Sequence, residues 1–432
     1  MSKEDIIRIA DKVIEYALYG LIVFIPISIA GVGILCPLAI VAFLVKTCLS
    51  PDFQFIKDNK LIYIFLLLFI IFMAMSLLNS GPYLIKGLRA LFGKWMQYIF
   101  IFIIAADTFR KPKRARNAIV LMLCVLGIVV LSGYSQRFLG FEFLRNESDA
   151  LGQGAIADVT SAFKNRNALA GYLVFFLALV LSVSVIRFKK KIYEFFASAL
   201  VFLSGGVLLL TLSRGGWLGF FLGGFMLAAI TKRYKLILLF LILFIVGIFS
   251  MSVLRERAMV AFGPSASSPI SLVGESSDNG SAIGTSRFVG DPSRFAIWQA
   301  ALAMIKENPF LGKGLGTFMD YFPQYTKDIG IFYTHNCYLQ IWAESGIFSL
   351  LFFLSFVGFI LCQAGSIAFI NRQNNLGLIL GGFVAGLFGF LIHSAFDNHL
   401  YSVQLKALFW LMLGMTQAIC ALVCGDRDES VR

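Results

Sequence analysis

Long apolar runs recur along the whole of this chain, and most approach the roughly 20 residues that a helix needs to cross the hydrocarbon of a bilayer. Their limits predict about twelve spans, at 16–32, 34–49, 61–79, 92–109, 117–134, 167–186, 193–212, 214–230, 236–253, 336–362, 376–393 and 400–423. Pro26, Gly31, Gly33 and Pro37 make the first pair the least regular. Composition agrees with the runs. The chain is 59% hydrophobic and 14% charged, against roughly 45–50% and 25% in soluble domains. The fold class that follows is an all-α polytopic membrane protein.

The charges give an orientation. The net charge of +13 comes largely from bases flanking apolar runs, which report topology rather than a nucleic-acid partner. Arg110, Lys111, Lys113, Arg114 and Arg116 follow the fourth span; Arg187, Lys189, Lys190 and Lys191 follow the sixth; Lys232, Arg233 and Lys235 follow the eighth. Short basic loops stay cytoplasmic, so loops after odd-numbered spans face outward. Both termini are expected in the cytoplasm, and the protein in the inner membrane of a bacterium. Met1 to Glu15 mixes charged and apolar residues at helical spacing, with no small-residue cleavage site after the first run. This is the pattern of a short amphipathic helix leading into a retained span. The seven cysteines are odd in number and contain no CxxC, so neither a disulfide framework nor a zinc site is indicated.

Three regions follow: helices 1–9 over 1–253, a large outer loop over 254–334 and helices 10–12 over 335–432. The Ser- and Gly-rich stretch 263–290 reads as a flexible loop that could act as a lid. Asp291-Pro292 is a helix start, and Phe295, Trp298, Leu302 and Ile305 form one apolar stripe after it. Asn308-Pro309 ends that run. The expectation is an amphipathic helix at the membrane surface.

Polar residues mark the outer helix starts. Arg166 opens the sixth span, Arg214 the eighth, Arg294 the surface helix and His335 the tenth. A helix N-terminus has unpaired N–H groups and the positive end of the macrodipole, which suits an anion. An arginine there adds a planar, permanently charged fork for phosphate oxygens. Several such ends converging on one cavity could hold a pyrophosphate, whereas each arginine alone could simply snorkel to headgroups. His335 is a candidate general base. His393 and His399 bracket Asp397 in the outer turn between the last two spans, where the carboxylate could orient a base or an arginine. Asn167, Asn336 and His393 are supporting candidates.

Other motifs point away from alternatives. There is no Walker loop, the outer loops lack DxD, and Gly312-Lys313-Gly314-Leu315-Gly316 is too loose for a nucleotide site. The three histidines are not at metal-ligand spacing, so neither a metal nor another cofactor is expected. Gly215, Gly219 and Gly223, and Gly382 with Gly386, are GxxxG steps suited to close helix packing.

These same residues resemble the O-antigen ligase and polymerase superfamily. The matching pieces, in the family's order, are Phe163-Lys-Asn-Arg-Asn167, Leu212-Ser-Arg-Gly-Gly-Trp217, Arg294-Phe-Ala-Ile-Trp298, Asn308-Pro-Phe-Leu-Gly-Lys-Gly314, and His335-Asn336 with Glu344-Ser-Gly-Ile347. The spacing from His335 and Asn336 to Gly346 is similar to that of the ligases; Ser349 stands where they carry Gly, Thr or Tyr. The resemblance implies a GT-C-type glycosyltransferase architecture, an undecaprenyl-pyrophosphate-linked glycan as donor and lipid A–core as acceptor. Arg166, Arg214 and Arg294 would hold the pyrophosphate on the periplasmic face, His335 would be the base, and Asp397 would support it. A polymerase, a protein O-oligosaccharyltransferase and a lipid-linked glycan transporter are the rival readings. Transport demands access from both faces, and the candidate residues cluster on one.

Overall fold

The structure is a computed structural model that describes residues 2–52, 54–144, 159–250, 294–326 and 333–431. The expected loop at 263–290 and the Asp291-Pro292 helix start lie outside them. Among the described residues the chain is helical, with no strand. The principal helices are α1 (Lys3–Ile27), α2 (Ile29–Leu49), α3 (Lys60–Ser76), α4 (Gln97–Thr108), α5 (Pro112–Leu139), α6 (Arg166–Ser184), α7 (Lys191–Leu210), α8 (Arg214–Thr231) and α9 (Tyr234–Ser250). The rest are α10 (Arg294–Glu307), α11 (Cys337–Ile370), α12 (Asn375–His393) and α13 (Val403–Val431).

Ten stretches of the described residues are long and apolar enough to cross a membrane. They match ten of the expected spans. The first and ninth expected spans fall on α1 and α9. α1 carries a charged first turn with a capping box between Ser2 and Asp5, and α9 has only 17 residues. The amphipathic start and the first apolar run thus form one continuous helix. α4 is entered through a π-helical turn, Leu91–Met96. Its freed Lys94 carbonyl accepts a hydrogen bond from Lys406 Nζ at 3.0 Å, and the ammonium lies 4.7 Å from the Trp95 ring centre.

Burial sorts the helices. The apolar window of α6 is 89% buried and that of α13 83%, whereas those of α2 and α7 are 28%. Outer helices keep apolar faces free for lipid, and α6, α12 and α13 form the centre. Small residues set the closest approach, as their spacing predicts. A Cβ on Gly219 of α8 would stand 2.6 Å from the Gly389 carbonyl of α12, and one on Gly223 2.9 Å from that of Ala385.

At one end of the bundle the charges neutralise each other. Asp11 of α1 meets Arg114 at 2.6 Å, Lys46 at 3.2 Å and Lys111 at 3.2 Å; Asp107 meets Lys46 at 2.9 Å; Asp58 meets Arg110 at 3.0 Å. The start of the chain and the loop after α4 therefore share one end.

The row of α10 that packs on the protein is Ile297, Ala300, Ala301, Met304 and Ile305, which shares only Ile305 with the expected apolar stripe of Phe295, Trp298, Leu302 and Ile305. Phe295 is 67% and Leu302 43% exposed. The alanines let α10 lie close to α11 and turn the bulkier phenylalanine and leucine outward.

Candidate functional site

At the opposite end, three of the four residues expected at helix starts line one cavity. It has a volume of about 170 Å³ and is bounded by Arg166, Asn167, Leu212, Ser213, Arg214, Gly215, Arg294, His393 and Phe396. Arg166 is the first residue of α6, whose N-cap Asn165 accepts the Ala168 N–H at 2.8 Å. Arg214 is the first residue of α8. Leu212, at φ +52°, turns the chain sharply before it, and Ser213 caps the helix by accepting the Gly216 N–H at 3.3 Å. Arg294 opens the described part of α10. Helix N-termini and guanidinium groups thus point positive charge at one small space. Among the described residues, the ion pairs at this end are Lys86–Asp320, Lys313–Glu307 and His335–Asp397; neither Arg214 nor Arg294 enters them.

The supporting candidates take distinct places. Asn167 Oδ1 accepts the Ser213 hydroxyl at 2.9 Å. That hydroxyl has one proton, so Ser213 Oγ is placed to accept from His393 Nε2, 3.3 Å away, in the tautomer that carries its proton there. His393 Nδ1 has no partner among the described residues. Its ring meets the His399 ring edge-on at 4.1 Å. Burial pushes His399 down to about 4 against the raising field of Asp397, so it stays neutral near pH 7.

His335 sits one residue before the N-cap of α11. Asn336 is the cap, its Oδ1 accepting the N–H groups of Tyr338 at 2.9 Å and Leu339 at 3.0 Å. His335 lies at φ +50°, a left-handed conformation that a histidine keeps only where its surroundings hold it. Its Nδ1 is 3.4 Å from Asp397 Oδ1. Burial works to raise the Asp397 carboxyl. The hydrogen bond from His335, the His399 ring and the Asn398 N–H at 2.7 Å outweigh it and hold the group well below the usual carboxylate range. With Nδ1 turned to Asp397, Nε2 is the nitrogen left for a substrate. The Cys337 N–H donates to the Ser394 carbonyl at 2.9 Å and the Cys337 thiol to that of Asp397 at 3.3 Å. The start of α11 is thereby stitched to the turn beside His393 and Phe396 of the cavity.

The glycine-rich piece at 312–316 has a structural explanation. α11 is broken at Gly346, whose φ is +79°. The break leaves carbonyls open, and the segment after α10 fills it: Lys313 N–H donates to Ala343 O and Gly314 N–H to Glu344 O, both at 2.9 Å. Ile347 N–H and Trp342 Nε1 donate to Pro309 O at 2.9 and 3.0 Å. A Cβ on Gly346 would collide with the Phe310 carbonyl. This strap ties α10, the helix of Arg294, to the start of α11.

A lateral trough reaches the same end. Two apolar hollows, of about 760 and 280 Å³, share Gly358, Leu361 and Phe388 between α11 and α12. The trough extends from Ile230 and Phe369 to Leu391, Ile392 and Ala395, at the end of α12 that also carries His393. Among the described residues no three His, Cys, Asp or Glu come together as a metal-holding group. Sequence reading did not anticipate the Ser213–His393 link, nor the buried Gln340 and Glu344 beneath His335.

Comparison with known proteins adds three findings. Residues 199–354 match the family described as O-antigen ligase. A comparison with curated proteins finds no match. One solved structure, described as "Structural coordination of polymerization and crosslinking by a peptidoglycan synthase complex", contains a chain 17% identical, with 84% of this chain and 98% of that chain covered and a TM-score of 0.42.

Proposed function

From the match of residues 199–354 to the O-antigen ligase family, we propose that the protein transfers a glycan from undecaprenyl pyrophosphate to a sugar hydroxyl of lipid A–core at the periplasmic face of the bacterial inner membrane. The coarser statement, an O-antigen ligase- or polymerase-like function in a multi-pass membrane protein, is supported by the family match and the apolar helices. One juxtaposition carries the finer reading. Arg166, Arg214 and Arg294 line a single cavity, and that cavity adjoins the turn to which the His335–Asp397 pair is bound.

In this reading the donor pyrophosphate occupies the arginine cavity, and its polyprenyl tail lies in the trough between α11 and α12. His335 Nε2 takes the proton of the acceptor hydroxyl while Asp397 orients the ring through Nδ1. The hydroxyl oxygen bonds to the anomeric carbon, and the bond from that carbon to the phosphate oxygen breaks. Its electron pair leaves with undecaprenyl pyrophosphate. One displacement inverts the anomeric centre. Charge grows on the leaving pyrophosphate, where fixed guanidinium groups and helix N-termini stabilise it without a metal.

The test is transfer with purified protein, the lipid-linked glycan, lipid A–core and EDTA, followed on a gel. A ladder on the core that His335→Ala abolishes supports a metal-independent ligase. Longer lipid-linked chains with no ladder would make it a polymerase. A shift in the mass of a protein acceptor would make it a protein O-oligosaccharyltransferase. Donor crossing a bilayer with no covalent product would make it a transporter.

A further inference from the structure

Two buried polar residues on α11 take no part in the mechanism above. Gln340 is 1% exposed and Glu344 2%. Neither is left unsatisfied, and their partners lead directly to the base. Glu344 Oε1 accepts the Gln340 amide N–H at 3.1 Å, while Oε2 accepts the Gly316 N–H at 3.0 Å and the Tyr401 hydroxyl at 3.2 Å. In its ionised form the Glu344 carboxyl only accepts, which turns the Gln340 nitrogen toward it and the Gln340 oxygen the other way. That oxygen accepts from Asn398 Nδ2 and lies 3.3 Å from the Thr334 hydroxyl. The one proton of the Thr334 hydroxyl goes to the Asn336 carbonyl at 2.7 Å, and its oxygen accepts the Asn336 N–H at 3.1 Å, so Thr334 packs against Gln340 Oε1 and Asn398 Oδ1 without donating to them.

We propose that Gln340, anchored by the Glu344 carboxylate, is a positioning residue for the His335–Asp397 pair. Its hydrogen-bond partner Asn398 and its packing neighbour Thr334 adjoin that pair in the chain. Thr334 precedes His335, and Asn398 follows Asp397 and donates its N–H to the Asp397 carboxylate at 2.7 Å. Gln340 therefore holds the segment that presents the carboxylate and packs against the one that presents the base. The left-handed backbone of His335 is itself spanned by the two Thr334–Asn336 hydrogen bonds. Trp298 of α10 reinforces it, its indole N–H donating to the Thr334 carbonyl at 2.9 Å. Glu344 also holds the strap after α10, so the helix of Arg294 and the base are joined through one buried carboxylate. The inference rests on the reading of His335 as the base.

The experiment is steady-state transfer by the full chain in nanodiscs across pH, with Gln340→Leu, Thr334→Val, Thr334→Ser and His335→Ala beside the wild type. Gln340→Leu keeps the volume and removes the hold on Asn398; Thr334→Val removes the hydroxyl that closes the turn around His335. A misplaced base costs turnover, so kcat should fall about tenfold or more while KM for the lipid-linked donor changes less than about twofold, because the arginine cavity is untouched. The pH–rate profile should shift, and Thr334→Ser should restore both. Unchanged kcat and pH profile in the Leu and Val variants, with His335→Ala inactive, would overturn this inference alone. A parallel loss of kcat, donor affinity and thermal stability would also overturn it, as the mark of plain structural damage. If Gln340→Leu does not accumulate, Gln340→Met, of similar length and without the amide, takes its place. A fully active His335→Ala would remove the base itself, and with it the reading beneath.

Discussion

The two ends of this bundle use the same basic side chains for opposite purposes. Where the loop after α4 meets the start of the chain, Arg110, Lys111, Arg114 and Lys46 each touch a carboxylate of Asp58, Asp11 or Asp107. At the other end Arg214 and Arg294 line a cavity and enter no ion pair among the described residues. A cation matched by a carboxylate contributes to the fold. A cation aimed into a cavity, with helix N-termini behind it, is stored electrostatic potential for an anion that arrives later. Density of basic residues therefore does not locate a cavity: the bases of the loop after α4 are paired with carboxylates, whereas the arginines at helix starts line a cavity.

The sharpest break of that comparison is to delete one cation from each end. Arg214→Ala should lower transfer by about 10³-fold, the scale of losing one preorganised group that stabilises developing charge. Arg110→Ala, which loses a pair with Asp58, should leave transfer within about twofold and cost no more than ~1 kcal/mol of stability. Initial rates and melting curves on both variants check this. Equal losses of activity would erase the distinction. Arg214→Lys refines it. The charge stays but the planar fork goes, so transfer should fall by roughly 10- to 100-fold. A lysine variant as active as wild type would mean that the cavity needs charge and not geometry.

Part of the candidate site was legible in the sequence, and the reason is local. An arginine or histidine interrupting an apolar run at a helix start is visible from its immediate neighbours, and Arg166, Arg214 and Arg294, singled out that way, line one cavity. Ten of the twelve expected spans were legible for the same reason. What pairs distant segments was not. Ser213 meets His393 across 180 residues and Asn79 donates to Gly312 across 233, and no spacing rule reaches so far. Gln340 and Glu344 were hidden because a polar residue within an apolar helix carries no sign of which neighbours satisfy it. The glycine run at 312–316 was set aside as a loose nucleotide motif because the helix break that it fills, at Gly346, lies thirty residues later. The protein-facing row of α10 was not legible because Phe and Trp weigh more than Ala in any hydrophobic pattern, while close docking on α11 selects Ala.

The paired end offers a converse test. Asp11 gathers three cations, and its side chain is 17% exposed against 11% for Arg114. Asp11→Asn should leave those bases without their shared carboxylate and cost about 3 kcal/mol of stability, with kcat unchanged. Thermal unfolding in nanodiscs, read beside initial rates, checks it. A drop in kcat at unchanged stability would mean that the two ends are coupled through the bundle and cannot be treated apart.

The smallest expected effect bears on how the active end behaves with pH. Asp397 has a folded-state pKa held below its unfolded value, so its ionised form stabilises the folded protein. That contribution is complete above the unfolded value of about 4 and is lost only as pH falls through the lower folded value. Between pH 5 and 8 an Asp397→Asn variant should therefore sit below the wild type by a constant ~1–2 kcal/mol, the scale of hydrogen bonds to a charged acceptor. The gap should narrow only at pH below about 4, where the carboxyl of the unfolded chain begins to take a proton that the folded one still refuses. Paired melting curves across that range read the gap directly. A gap that closed near neutral pH instead would mean that Asp397 is protonated in the working range. It could then neither orient the His335 ring as an acceptor nor offset the positive charge that His335 gains when it takes the acceptor's proton.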